Sequence, residues 1–237
     1  MRILKCRSNH LEGKAKQNRN RVIYLVLFGI WGLAHFFSSS NIVFIFPFII
    51  MLVFARVFLK NYFNYRSGIE AENLVIQHLS NLDDNYLLIN DIKLPNSYGN
   101  IDHIVLGPKG IFVLETKNYN GLITCNGDDW RVYYGIWGII GYDLKSPSKQ
   151  VKRNALKIKQ IIDRESQKIF KKPLKIWVEG IVVFTNPNVE LHLSNTTVPV
   201  LRVDELCSYI KNKKSKVRFS SEEVELMGNV ILKCVES

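Results

Sequence analysis

The sequence predicts an α/β domain, a mixed central sheet flanked by helices, preceded by two transmembrane helices. Three observations lead there. Two long apolar runs stand almost back to back between residues 22 and 59. Short β-rich segments, punctuated by Gly, Pro and Asn, crowd residues 86–134. Helical periodicities of three and four flank them on both sides, which is the layering of an α/β sandwich.

The first run, residues 22–37, carries no charge, and the second, 42–59, carries only Arg56 near its end. At ~1.5 Å per residue each is about 25 Å long, close to the ~30 Å hydrocarbon core of a bilayer. Ser38–Asn41 is the whole connection, so both outer ends lie on one side. Residues 1–21 hold seven Lys/Arg against Glu12, and Arg56, Lys60 and Arg66 border the far end of the hairpin. The positive-inside rule then puts both ends, both termini and everything after residue 60 in the cytoplasm, as a multi-pass protein of the cell membrane. Pro47 is expected to kink the second helix, which a membrane span tolerates. A cleaved signal peptide is the alternative, but no small-x-small site follows the first run and a second run begins at once. A hairpin dipping into one leaflet is a further alternative, and it leaves the remainder cytoplasmic too. His35 reads as an interfacial residue rather than a ligand.

Residues 60–67 read as a polar, aromatic junction at the interface. From Gly68 a helix is expected, with Ile69, Leu74, Val75 and Leu79 on its apolar stripe. Residues 86–94 form a strand ended by the turn cluster 95–100. Residues 101–107 and 110–117 form a hairpin around Pro108-Lys109-Gly110, and 121–126 and 130–134 are two more strands around Gly127-Asp128-Asp129. The apolar stretch 135–142 is either a loop packed on the sheet or one touching the bilayer. A helix over 146–165 starts with Ser146 as cap and Pro147 in the first turn, with Val151, Ala155, Ile158 and Ile161–Ile162 as its stripe. Residues 176–186 make a long β-rich run and 198–203 a short strand. A helix runs from Asp204 to about Lys211, and a last one spans 220–235 behind a Ser220–Glu223 capping box. Three regions result: a basic cytoplasmic tail at 1–21, the hairpin at 22–59, and one folded domain at 67–237.

The formal charge of +11 on 237 residues suggests an anionic partner, but residues 1–21 supply +6, 22–66 supply +3 and 67–237 only +2. Within the domain, residues 145–175 hold eleven Lys/Arg against Asp163 and Glu165. Cys6, Cys125, Cys207 and Cys234 lie far apart with no Cys-x-x-Cys and no His at metal spacing, which suggests neither a zinc site nor a disulfide framework and suits reduced thiols.

The hairpin carries the chemistry. Residues two apart on a strand share a face, so Glu115 and Lys117 project together. A turn centred on 108–110 sets Asp102 about opposite Thr116. Two carboxylates and a strand carbonyl offer Mg²⁺ the hard oxygen ligands it prefers, and an adjacent lysine can hold a water or a phosphate, an arrangement suited to metal-assisted attack on a phosphodiester. The competing reading is a solvated surface ion pair; against it, Ile101, Ile104, Leu106, Ile111, Val113 and Leu114 make these strands central.

The stretch "IDHIVLGPKGIFVLETKNYNGLI" resembles the core of the nuclease-related domain family (NERD), within the restriction-endonuclease-like superfamily, whose pattern is Asp, a gap, then Asp/Glu-x-Lys. "GIEAENLVIQHL" resembles the family's opening helix, with Ala71 where the family has glycine. Trp130, the Ser146-Pro147-x-x-Gln150 helix start and "EGIVVFTNPNVEL" extend the likeness over about residues 67–205. The resemblance implies a restriction-endonuclease-like fold and a nuclease using Mg²⁺ (or Mn²⁺) on DNA or RNA. It implies Asp102, Glu115 and the Thr116 carbonyl as metal ligands, Lys117 as the group that orients water or stabilises charge, Glu72 as an outer ligand (Glu70 competing), and Gln150 at the site or substrate backbone. Lys149, Lys152 and Arg153 would then contact nucleic acid from the basic helix, whose other reading is a solvated face. His103 is expected to be structural. A non-catalytic nucleic-acid- or partner-binding module of the same fold is the rival function, and a membrane scaffold for protein contacts a third.

Overall fold

The computed structural model describes residues 1–5, 10–95, 97, 99–134, 140–170 and 176–235. They form two compact units, Asn9–Glu70 on one hand and Met1–Ser8 with Ala71–Ser237 on the other. The strands are β1 (Arg2–Lys5), β2 (Leu87–Ile92), β3 (Ile101–Gly107), β4 (Gly110–Lys117), β5 (Gly121–Asn126), β6 (Asp129–Tyr134), β7 (Ile140–Leu144), β8 (Val178–Phe184), β9 (Val189–Ser194) and β10 (Val200–Arg202). The helices are α1 (His10–Ser39), α2 (Phe46–Leu79), α3 (Pro147–Phe170), α4 (Leu206–Asn212) and α5 (Ser221–Lys233). The molecule is thus a mixed α/β protein with two long apolar N-terminal helices, as expected.

In the N-terminal unit α1 and α2 are long and apolar enough to cross a membrane. They meet closely where α1 is glycine: a Cβ on Gly29 would lie 2.6 Å from Met51 Sδ, and one on Gly32 2.7 Å from Pro47 Cβ. Small residues at such a contact let two helix backbones approach in an apolar medium. Arg21 lies over the Phe58 ring at 5.3 Å, so the basic start of α1 runs beside the lower part of α2. His35 is exposed and stacks with Phe44 at 5.2 Å, an aromatic contact rather than a ligand's setting. Two expectations change here. Pro47 sits in the first turn of α2, where its missing N–H leaves no bond unmade, so it starts the helix instead of kinking it. The anticipated junction at 60–67 is helical, because nothing between Phe48 and Ser67 breaks the turn pattern and α2 runs through to Leu79.

The second unit is built on a six-stranded sheet in the order β1-β2-β3-β4-β8-β10. β2, β3 and β4 are antiparallel neighbours, while β4–β8 and β8–β10 are parallel. The start of the presumed basic tail is an edge strand of this sheet: Arg2 pairs with Leu87 and Ile3 with Leu88, in parallel. The apolar Ile3-Leu4 pair explains it, since Leu4 packs into the core over Gly228, where an added Cβ would come within 2.5 Å. One face of the sheet is covered by α3 and α5 through Val151, Ile158, Ile162, Val224, Met227 and Ile231. The other takes Val75 and Leu79 of α2 and Leu206 and Ile210 of α4. Each such buried aliphatic contributes ~1.5–3 kcal/mol. α3 lies tight on β8 because residue 180 is glycine; its Cβ would sit 3.1 Å from Val151 Cγ1.

A second, four-stranded sheet, β7-β6-β5-β9, was only partly legible, and β9 was not expected as a separate strand. It pairs in parallel with β5, from Gly121↔Val189 to Asn126↔Ser194. Of the stretch 135–142, residues 135–139 lie outside the described residues, and Ile140 opens β7. Ser220 and Glu223 form the reciprocal cap of α5, and Ser146 Oγ accepts from Lys149 N at the start of α3. Cys125, Cys207 and Cys234 are free thiols.

Candidate active site

The β3–β4 hairpin closes on the two-residue turn Pro108–Lys109, with Gly107 opposite Gly110 and His103 opposite Leu114. This register sets Asp102 opposite Glu115, one residue from the anticipated Thr116. Directly opposed residues share a face, so Asp102, Glu115 and, two further on, Lys117 all project on the side covered by α3. The anticipated pairing would have put Asp102 on the face of Thr116, so it is the observed register that groups the three: Lys117 Nζ donates to Glu115 Oε1 at 2.5 Å, and Thr116 N donates to Asp102 Oδ2 at 2.8 Å. The β4–β8 ladder, Glu115↔Val182 to Lys117↔Phe184, holds the strand tip from the other side.

Burial makes the corner electrostatically tense. Glu115 is 1% exposed. Loss of hydration, then the neighbouring Asp102 charge, push its carboxyl up to about 8 despite Lys117. Burial likewise raises Asp102, opposed by the Lys117 charge and the Thr116 N–H and assisted by Asp91. Burial alone would lower Lys117, but Glu115 and Asp102 outweigh it and leave the ammonium above its ordinary range. Glu115 Oε2 is buried and has no hydrogen-bond partner. An acceptor oxygen of this kind is costly, and a divalent cation would satisfy it. Among the described residues no three His, Cys, Asp or Glu side chains stand close enough to cage a metal ion. Asp102 and Glu115 are the carboxylates at this corner that could hold a hard divalent cation.

The remaining candidates are distributed by the two sheet faces. Gln150 and Arg153, on the first turns of α3, line a cleft of ≈ 240 Å³ with Asn100, Lys145, Lys157 and Gln160. The Arg153 charge reaches Glu115 and favours its ionised form. Lys152 points elsewhere: its Nζ donates to Asp128 Oδ2 at 2.6 Å and to Thr197 Oγ1 at 3.0 Å. Lys149 is 3.9 Å from Asp129, also on the second-sheet side. Glu72 is half-buried on the stripe of Val75 and Leu79, which packs on the opposite face of the sheet; Glu70 is exposed and paired with Arg66 in the N-terminal unit. His103 is fully buried on that opposite face, its Nδ1 2.9 Å from Asn90 Oδ1, as a structural residue would be.

Trp130 has a positioning part. It stacks on Phe184 at 6.0 Å, and its Nε1 donates to Ser148 Oγ at 3.0 Å. Ser148 in turn donates to Asp128 Oδ1 at 2.7 Å, and Thr197 to the same oxygen at 2.5 Å. Together they fix the first turn of α3, and with it Gln150 and Arg153.

Asp91 was missed. The β2–β3 register, Asn90↔His103 and Ile92↔Ile101, sets it opposite Asp102. It is 7% exposed, has a left-handed backbone (φ 44°), and accepts from Asn100 Nδ2 at 2.6 Å. The signal available in the sequence was a charged residue inside "LLINDI", a strand buried along its whole length.

Comparison with known proteins bears on the family of the chain. The nuclease-related domain family matches residues 67–185. An uncharacterized protein of Bacillus anthracis is 43% identical over 60 residues, 24% of this chain and 28% of that protein. The matched stretch is thus a little over a quarter of that relative's length. No solved structure matches the chain.

Proposed function

Because the chain belongs to the nuclease-related domain family, we propose that it is a membrane-anchored, Mg²⁺- or Mn²⁺-dependent nuclease hydrolysing phosphodiester bonds of DNA or RNA. The observation that carries this reading is the convergence of Asp102, Glu115 and Lys117 at one buried strand tip, with Glu115 Oε2 unsatisfied. Asp102, Glu115 and the Thr116 carbonyl would hold the ion, which when bound supplies charge for the phosphoryl oxygens and acidifies a water. Asp102 is kept in place by the Thr116 N–H, and Lys117 by Glu115. The Lys117 ammonium stabilises negative charge developing on the phosphorus oxygens and orients the attacking water. Gln150, Arg153 and Lys157 line the approach and neutralise backbone phosphates there. Lys149 and Lys152 contribute less, since both answer acids of the second sheet. The part assigned to Glu72 rests on the family likeness alone.

Two features support anchoring with the domain on the cytoplasmic side. The basic residues lie at the outer ends of the hairpin. In addition, β1 before α1 pairs with β2 after α2, so the chain must return to the side it left.

The test is cleavage of plasmid DNA and of RNA by the full chain in detergent, with Mg²⁺, Mn²⁺ or EDTA. Cutting that needs the metal and falls at least ~100-fold in Asp102→Ala and in Lys117→Ala supports the reading. Nucleic-acid binding with no cutting under any metal replaces it by a non-catalytic module of the same fold.

A further inference from the structure

A second charged concavity lies at the far end of the hairpin. Lys109, Asn212, Lys213, Lys214, Ser215, Lys216 and Arg218 line a depression of ≈ 470 Å³, with no acid in its wall. Strand β4 runs from this end to the Glu115–Lys117 corner, and about six to eight steps of ~3.3 Å from Lys109 separate the two by about 20–26 Å. The depression is therefore distinct from the Asp102–Glu115–Lys117 corner.

Its wall is tied into the fold by hydrogen bonds and packing. Phe219 N donates to Pro108 O at 2.9 Å, tying the 211–218 segment to the β3–β4 turn. Ser215 Oγ donates to Val217 O at 2.7 Å. Val217 packs on the core and Phe219 is buried against Phe170, with ring centroids 5.7 Å apart. These inward residues alternate with Lys216 and Arg218, which turn out to solvent with Lys214. Glu179 is the nearby acid, and Lys213 and Tyr209 already satisfy one of its oxygens at 2.5 and 3.0 Å. Among the described residues Lys214, Lys216 and Arg218 have no ion pair.

We propose that this depression is a phosphate-backbone exosite that holds nucleic acid away from the scissile corner. The choice of nucleic acid rests on its being the substrate class of the nuclease reading, and on the surface itself. Interfacial amphipathic helices interleave lysines with exposed Trp, Phe or Leu; here the one apolar residue of the segment 211–218, Val217, turns inward, which leaves charge alone to attract a lipid surface. The surface is concave, and Asn212 and Ser215 add the neutral hydrogen-bonding groups that accompany Lys and Arg at phosphate contacts.

The experiment uses the full chain in discs of neutral lipid, in EDTA so that nothing is cut. Fluorescence anisotropy with labelled 20-mers of dT and U gives Kd across a salt series. Lys214→Ala/Lys216→Ala/Arg218→Ala is expected to bind about tenfold more weakly and to reduce the slope of log K against log salt by about 2, at ~0.7 per phosphate lost on a single strand. The Gln triple variant should behave alike, with native circular dichroism. Unchanged affinity and slope overturn the proposal. So does unchanged oligonucleotide binding with lost adhesion to phosphatidylserine vesicles, which would make the surface a lipid site. Absence of cleavage by the native chain bears on the nuclease reading alone, because this readout needs no catalysis.

Discussion

Replacing Glu115 by Gln should stabilise the metal-free protein while removing its response to metal. The carboxyl is pushed from 4.5 to about 8, so at pH 7 it is mostly protonated in the folded state and ionised in the unfolded one. At ~1.36 kcal/mol per pH unit, taking up that proton costs on the order of 3 kcal/mol. Glutamine has the same shape and no proton to take up. It can still accept from Lys117 Nζ, now 2.5 Å from Glu115 Oε1, and gives up only the charge attraction of the minority ionised form. The expected net gain is about 1–3 kcal/mol, a rise of roughly 2–10 °C in melting temperature for a domain of this size. A folded pKa above the unfolded one means that native stability falls as pH rises from 4.5 towards 8. The variant should lose most of that slope and keep only the part due to Asp102, whose shift has the same sign. The assay is thermal melting followed by intrinsic Trp fluorescence in EDTA at pH 5–8.5, repeated with Mn²⁺. Native protein should gain from Mn²⁺ and the variant should not. A melting temperature that drops in EDTA, with the pH slope unchanged, would refute the idea that this buried acid is an electrostatic liability kept for a ligand.

Other outcomes follow from the same geometry. Arg153→Ala, beside the cleft, should raise KM for cleavage about tenfold, whereas Lys149→Ala should change it less than twofold; equal effects would mean that the basic helix meets substrate along another face. Asp128→Ala removes the shared partner of Lys152, Ser148 and Thr197 and should cost about 1–3 kcal/mol. Burial alone would raise that carboxyl, but these three donors hold it well below its ordinary value. The stability it supplies is therefore present above about pH 4 and lost on acidification, and melting between pH 6 and 3 should show a weaker acid dependence in the variant. With the native cysteines replaced by serine, Ser40→Cys should react with an impermeant maleimide on intact cells and Lys214→Cys only after permeabilisation; the reverse pattern would overturn the proposed topology.

Local chemistry made much of this legible. The Ser220–Glu223 cap and the Ser146 start of α3 each depend on residues within a few positions and stand as read, while the turn at Pro108 falls where expected but is one residue tighter. Glu115 and Lys117 share a face by their spacing alone, whereas Asp102 joins them only because the turn is one residue tighter than read; a turn centred on residue 109 would have set it on the face of Thr116. Long-range pairing was not legible. Arg2–Lys5 finds its partner more than eighty residues away, and β9 is a strand only because β5 lies beside it. The split of the basic helix was hidden for the same reason. Which lysines answer Asp128 and Asp129, and which residues face Glu115, depends on a second sheet whose position no periodicity encodes. Asp91 was hidden by its own strand, since a lone acid in an apolar run acquires meaning only once Asp102 is found across from it.

Electron paramagnetic resonance of Mn²⁺ titrated into the full chain tests the central claim most directly, because it counts the ion without requiring a substrate. The account predicts one bound Mn²⁺ per chain, displaced by Mg²⁺, lost in Asp102→Asn and in Glu115→Gln, and retained in Lys214→Ala. Equal Mn²⁺ binding by the native chain and both carboxylate variants, or none by the native chain, would contradict it.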